Sequence, residues 1–348
     1  MSVECFPPFR PHPLLRSAHA QTLFAFYVRP AGIRYQARRH EISLSDGDAI
    51  VLHDDCPANW REGDRVVLMI PGLGGSHQSP FMPRIATKLN SAGFRTSRLD
   101  LRGFGVGYRL ARLPGHAGRS EDSTAAVKKI AELSPNSPVT AIGFSMGGNI
   151  VLKMLGEIGG VPLGKLDSCV AIAPPIDLLN CSLHMLRPMN RMYSRFLVLG
   201  LLKQVKRRQP FVEGIRRLAL TPRPKNLMEF DDRFTAPVSG FVDAHDYYSK
   251  CSSGPLMHDI SLPALVITAS DDPLIPVSMF DDFALSSSTT LVVTEKGGHL
   301  GFVGARGVDP DRRWLDWRIV DWIDWHDKRA GAVQGTDCEP MIGTVNST

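Results

Sequence analysis

The sequence predicts an α/β protein: a mainly parallel sheet covered on both faces by helices and interrupted once by a helical cap. Three observations carry that prediction. Apolar strand-like runs alternate with helix-like segments over most of the chain, the pattern that crossover connections impose on a parallel sheet. The alternation stops between about 176 and 258 and then resumes, and a stretch of that length is an insertion rather than a loop. Gly143-Phe144-Ser145-Met146-Gly147 joins a strand-like run to a helix-like run, so the chain must turn sharply there.

Taken in order, residues 1–40 form an N-terminal extension rich in proline, arginine and aromatics. Glu41 to Leu44 and Ala49 to His53 flank Ser45-Asp46-Gly47-Asp48 and read as a hairpin. Strands are expected at 65–70, 94–99, 138–143, 168–173, 264–270 and 289–295. With the hairpin they make eight. Helices are expected at 80–91, 120–133, 148–158, 278–285 and 312–329. The sheet domain is thus expected to comprise 41–175 and 259–329, with a helical cap at 176–258 and a loosely ordered tail at 330–348. In the cap, Leu183 to Val205 is apolar and reads as helix, suited to covering a hydrophobic pocket. The tryptophans at 314, 317, 322 and 325 fit packing of the last helix on the sheet.

Composition narrows the class. The 348 residues are 43% hydrophobic and 22% charged, ordinary for a globular protein with a sizeable core. No run is long enough to span a bilayer, and Met1 to Arg10 has no signal-peptide core. Six cysteines scatter without metal-like spacing, which favours a reducing cytoplasm without disulfides. Net charge is +5, with Lys203, Lys206, Arg207, Arg208, Arg216 and Arg217 clustered after an apolar stretch. A solvated helix face is the first reading of that cluster; attraction to anionic headgroups or phosphates is the sharper one. No nucleic-acid-binding module accompanies the charge. Nothing indicates an oligomeric state.

The chemistry centres on Ser145. The strand, turn and helix around it make a nucleophile elbow, with Gly143 and Gly147 giving strand and helix room to pass. A serine hydroxyl needs a histidine to take its proton and a carboxylate to orient that histidine. Asp271-Asp272-Pro273 follows one strand and Gly297-Gly298-His299 follows the next, both at strand C-terminal ends. On spacing alone, Asp271 and Asp272 compete for the acid role. Two backbone N–H groups should form an oxyanion hole. Met146, after the nucleophile, supplies one; Leu73, in Pro71-Gly72-Leu73-Gly74-Gly75-Ser76, supplies the other. That loop lacks the Gly-Lys-Ser/Thr of a phosphate-binding loop.

Further segments carry a resemblance. His19-Ala20-Gln21-Thr22-Leu23, Asp100-Leu101-Arg102-Gly103-Phe104-Gly105, Ser145-Met146-Gly147-Gly148-Asn149 and Phe230 through Tyr248 are similar to motifs of the YheT-like family of serine esterases and lipases. The resemblance runs from about residue 10 to about 327. It implies an α/β-hydrolase fold and a carboxylic ester hydrolase acting on acyl esters or lipids, with Ser145, Asp272 and His299 as its triad. It also implies that Asp272, directly before the proline, is the acid. No metal or organic cofactor is required. Acyl transfer to an alcohol would use the same triad, and a non-catalytic binding protein on the same fold is the remaining alternative. Weak contact of the cap helix with a membrane surface is a further expectation. The 230–248 block has no physical role legible in sequence, beyond holding the cap against the catalytic domain.

Overall fold

A computed structural model of the chain describes residues 6–28, 36–212 and 222–334. Arg216, Arg217 and the tail beyond 334 lie outside these described residues. The eight strands are β1 (Arg38–Ser43), β2 (Ala49–Asp55), β3 (Val66–Ile70), β4 (Arg95–Asp100), β5 (Val139–Phe144), β6 (Leu166–Ile172), β7 (Ala264–Ala269) and β8 (Thr289–Thr294). They form one sheet in the order β1-β2-β4-β3-β5-β6-β7-β8. The β1–β2 hairpin attaches antiparallel to β4, and every pairing from β4 to β8 is parallel.

The central strands β3 and β5 are buried at every position, as expected for parallel strands covered on both faces. The covering layers are α2 (Phe81–Ser91), α3 (Ser120–Leu133) and α4 (Met146–Ile158), together with the last long helix. The six expected central and edge strands lie within two residues of their expected bounds. The expected helix at 278–285 is only a short 3₁₀ turn, Val277–Asp282. Val277 follows directly on Pro276, and Asp281 and Asp282 supply polar residues that favour turns over a helix interior.

The N-terminal segment is not merely an extension. Ala18–Tyr27 forms helix α1, capped by the Ser17 side chain accepting from the Ala20 N–H. Gln21 is fully buried and ties this helix to the loop after β8, donating to the Leu15 and Val303 carbonyls and accepting from the Val303 N–H.

The insertion contains α5 (Leu178–His184), α6 (Arg191–Arg208), a short helix at Leu227–Phe230 continuing through a π-helical turn Asp231–Thr235, and α7 (Ala244–Cys251). Arg208, expected on a solvated face, is buried instead. Its guanidinium donates to the carbonyls of Ala111, Arg112 and Leu113, which staples the end of α6 to the loop after β4. Burial with little compensating charge pushes it down to about 10. The block from Phe230 to Tyr248 performs a similar anchoring. Tyr247 accepts from the Ala117 N–H, and Asp231 accepts from Thr235 and Tyr248.

The last helix, α8, runs Trp314–Gln334, past the expected end at 329. Trp314 and Trp322 are buried, with Trp314 stacked on Phe302. No helix among the described residues is long and apolar enough to cross a membrane.

Candidate active site

Ser145 sits between β5 and α4 with φ +52° and ψ −120°. That backbone region is strained for any residue with a Cβ, and it persists only where the surroundings enforce it. Here the Ser145 N–H donates to the Ile172 carbonyl at 2.7 Å, and its own carbonyl accepts from Gly148 and Asn149. The glycines are needed because strand and helix nearly touch. A Cβ on Gly143 would strike the Gly147 carbonyl, and one on Gly147 would strike the carbonyl of Ile70.

The loops after β7 and β8 bring the other two predicted residues to this turn. His299 Nε2 lies 2.9 Å from Ser145 Oγ, and His299 Nδ1 lies 2.8 Å from Asp272 Oδ2. A carboxylate only accepts, so Nδ1 carries the proton and Nε2 is left to accept from the serine. The other oxygen of Asp272 accepts from the N–H groups of Leu274 and Ile275, which holds the carboxylate in place. His299 and Asp272 are buried and Ser145 is half-buried.

Asp271 faces elsewhere. Its Oδ1 accepts from the Gly298 N–H at 2.9 Å, so it braces the histidine loop from behind. Burial raises its pKa above the usual carboxylate range.

Leu73 and Met146 line the same cavity as Ser145 and His299. Met146 is the first residue of α4, so its N–H has no partner one turn back. Neither N–H donates a hydrogen bond among the described residues.

A buried cluster supports the Leu73 loop. Asp100, at the end of β4, accepts from the His77 N–H and the Val106 N–H and contacts the rings of His53 and His77 at 2.9–3.0 Å. Burial opposes the charge, but these donors outweigh it and hold the Asp100 carboxyl well below the usual range. Burial also lowers His53. The two imidazoles stack with centroids 3.5 Å apart. Three ligand-type side chains meet here, within the spacing a metal ion would need. The carboxylate already accepts from two backbone N–H groups, and both ring nitrogens are aimed at that carboxylate, His53 Nε2 and His77 Nδ1 each 3.0 Å from its Oδ2. The donor set therefore fits a hydrogen-bonded brace better than a metal centre.

Sequence reading did not anticipate the role of α1. The Thr22 hydroxyl accepts from the His299 N–H at 2.9 Å, and the Phe26 ring stacks on His299. Gly298 permits this approach: its φ is +58°, and a Cβ would strike the Ala18 carbonyl. The signal was present in His19-Ala20-Gln21-Thr22-Leu23, but a short motif does not say what it touches.

Above Ser145 lies a cavity of about 540 Å³, in the size range of small-molecule sites. Its walls include Phe26, Phe81, Phe104, Met185, Leu197 and Leu201, so α1, the loops at the sheet's edge and α6 all contribute. Asp231 also lines it, and burial pushes this carboxyl up to about 6 despite its two hydroxyl partners. Its nearness to the cavity was not legible in sequence.

A family profile described as alpha/beta hydrolase fold matches residues 65–305. The chain is similar to YheT of Escherichia coli (strain K12), 30% identical over 313 residues that cover 88% of this chain and 90% of that one. It is similar to Phospholipase ABHD3 of Mus musculus, 29% identical over 283 residues, covering 77% and 67% of the two chains. Among solved structures it resembles the Pyrococcus furiosus esterase Pf2001, with a TM-score of 0.53 and 17% identity, covering 86% of this chain and 98% of that one; this likeness bears on the fold alone. The profile match over most of the chain, the near-full-length similarity to YheT and the eight-stranded sheet together make this protein a member of the alpha/beta hydrolase fold family.

Proposed function

We propose that this chain is a serine carboxylic ester hydrolase that cleaves hydrophobic acyl esters through an acyl-enzyme. The observation that carries the reading is the continuous hydrogen-bonded series Asp272–His299–Ser145, at 2.8 and 2.9 Å, opening into an apolar cavity. Ser145 Oγ attacks the ester carbonyl while His299 Nε2 takes its proton. Asp272 stabilises the imidazolium. The carbonyl oxygen becomes an oxyanion held by the N–H groups of Leu73 and Met146. His299 returns the proton to the departing alkoxide. It then deprotonates a water that attacks the acyl-enzyme; the acyl–Oγ bond breaks, His299 returns the proton to Ser145 Oγ, and the acid is released. The names of relatives, a phospholipase among them, support esters of lipid character.

The test is reaction with a fluorophosphonate probe combined with turnover of acyl esters of graded chain length. Ser145 should be labelled, and Ser145→Ala should lose both labelling and turnover while keeping its circular dichroism. Full turnover by Ser145→Ala would sink the mechanism. A sharp chain-length optimum would measure the cavity, and adding an alcohol in competition with water would identify the acyl acceptor.

A further inference from the structure

From Leu178 to Val212 the chain contains seven arginines and lysines and no aspartate or glutamate. The middle of this stretch is α6, whose inner face buries Tyr193, Val198, Leu201 and Val205. Its outer face exposes large apolar side chains where solvent-facing polar ones are usual: Met192 is 52% exposed, Phe196 49% and Leu199 59%. Exposed Arg191 and Arg195 sit at one end of this stripe, and Lys203, Lys206 and Arg207 at the other. Among the described residues none of these five forms an ion pair. The patch continues onto α1, where Tyr27 is 63% exposed and meets Phe196 edge-on.

Exposed apolar patches of this kind mark interaction surfaces, and the mixture narrows the partner. Nucleic acid would use the cations and leave the exposed Met192, Phe196 and Leu199 unexplained. A second copy of the chain, joined through the same face, would oppose five cations to five cations with no acid in the stretch to offset them. An apolar stripe bordered by cations fits an anionic lipid surface, where the stripe enters the acyl boundary and the cations meet the headgroups. The location fits too, because Phe196, Gly200, Lys203 and Arg207 also line the cavity above Ser145.

We propose that the outer face of α6, with the end of α1, docks on an anionic lipid surface and admits lipid esters from it to the cavity. The delivery half rests on the ester hydrolase reading; the docking half does not.

The experiment uses the full chain, sedimented with vesicles of phosphatidylcholine alone or mixed with roughly one-third phosphatidylglycerol. Two variants remove the two contributions: Arg191→Ser/Arg195→Ser/Lys206→Ser, and Met192→Gln/Leu199→Gln. None of these five residues lines the cavity above Ser145. The expected result is binding to the mixed vesicles, with about tenfold weaker binding to phosphatidylcholine alone and for each variant. Added salt should weaken the native protein more than the charge variant. Both variants should hydrolyse a soluble short-chain ester at the native rate. Equal vesicle binding by native protein and both variants would overturn the docking, as would no binding to mixed vesicles. So would concentration-dependent dimerisation that the variants abolish. Vesicle binding without fluorophosphonate labelling of Ser145 would keep the docking and overturn the delivery.

Discussion

Asp231 is a carboxyl group whose ionisation the fold resists, and replacing it by asparagine should stabilise the protein only once pH rises past the ordinary carboxylate range. The side chain is buried at the start of the π-helical turn Asp231–Thr235 beside the cavity, accepting from Thr235 Oγ1 at 2.6 Å and from the Tyr248 hydroxyl at 2.8 Å. Desolvation raises its pKa from 3.8 to about 6, and the two hydrogen bonds only partly offset that. The folded state therefore binds its proton more tightly than the unfolded chain does. Below 3.8 both states are protonated and the group contributes no pH dependence. Between 3.8 and about 6 the unfolded chain ionises first, so stability falls as pH rises; above about 6 the loss is complete. A displacement of this size corresponds to about 3 kcal/mol. An asparagine side chain in this place would keep one acceptor and one donor for the same two hydroxyls and would not titrate. Asp231→Asn should thus match the native protein at the acidic end and exceed it by up to about 3 kcal/mol at neutral pH. The assay is urea unfolding followed by tryptophan fluorescence at intervals from roughly pH 3 to 8, so that the acidic end lies below the unfolded value. If the curves of stability against pH run parallel for the two proteins, burial does not govern this carboxyl and the reasoning fails.

Three further outcomes follow from the site. Asp272→Asn should lower kcat by about 10⁴-fold by favouring the wrong imidazole tautomer, whereas Asp271→Asn should cost less than about tenfold; steady-state rates on one soluble ester compare them, and the reverse order would reassign the acid. Gly143→Ala should destabilise the protein by several kcal/mol, about 4 or more, because the added methyl meets the Gly147 carbonyl with no side chain free to move; thermal unfolding at the native midpoint would refute this. Asp100→Asn should loosen the loop that presents the Leu73 N–H and lower kcat by about tenfold with KM little changed; a loss confined to KM would mean that the brace serves binding instead.

Much of this molecule is visible in local pattern. Buried parallel strands such as β3 and β5 must be continuous apolar runs, so their number and positions are legible in the chain, though not their order in the sheet. The elbow at Ser145 is partly local too: Gly143 answers a clash with Gly147 only four residues on, although Gly147 itself makes room for the carbonyl of Ile70 on β3. The expected helix at 278–285 is the instructive miss. Its residues Val277–Asp282 make only a short 3₁₀ segment after Pro276, and a short apolar run cannot say by itself whether it will continue.

What the linear chain could not disclose depends on residues far apart in it. Asp271 and Asp272 are chemically identical neighbours, and only the paths of the loops after β7 and β8 decide which one faces His299 and which braces Gly298. Thr22 reaches His299 across 277 positions. Arg208 looked like one more cation of a basic cluster until the loop after β4 wrapped its guanidinium with carbonyls. Periodicity and turn chemistry act over a few residues, so the strands and the strand–turn–helix elbow at Ser145 could be read from them. Burial, desolvation and the sharing of hydrogen bonds are properties of the packed chain, so the contacts that pair His299 with Asp272, the elevated carboxyl at Asp231 and the exposure of the apolar side chains on α6 became visible only in three dimensions.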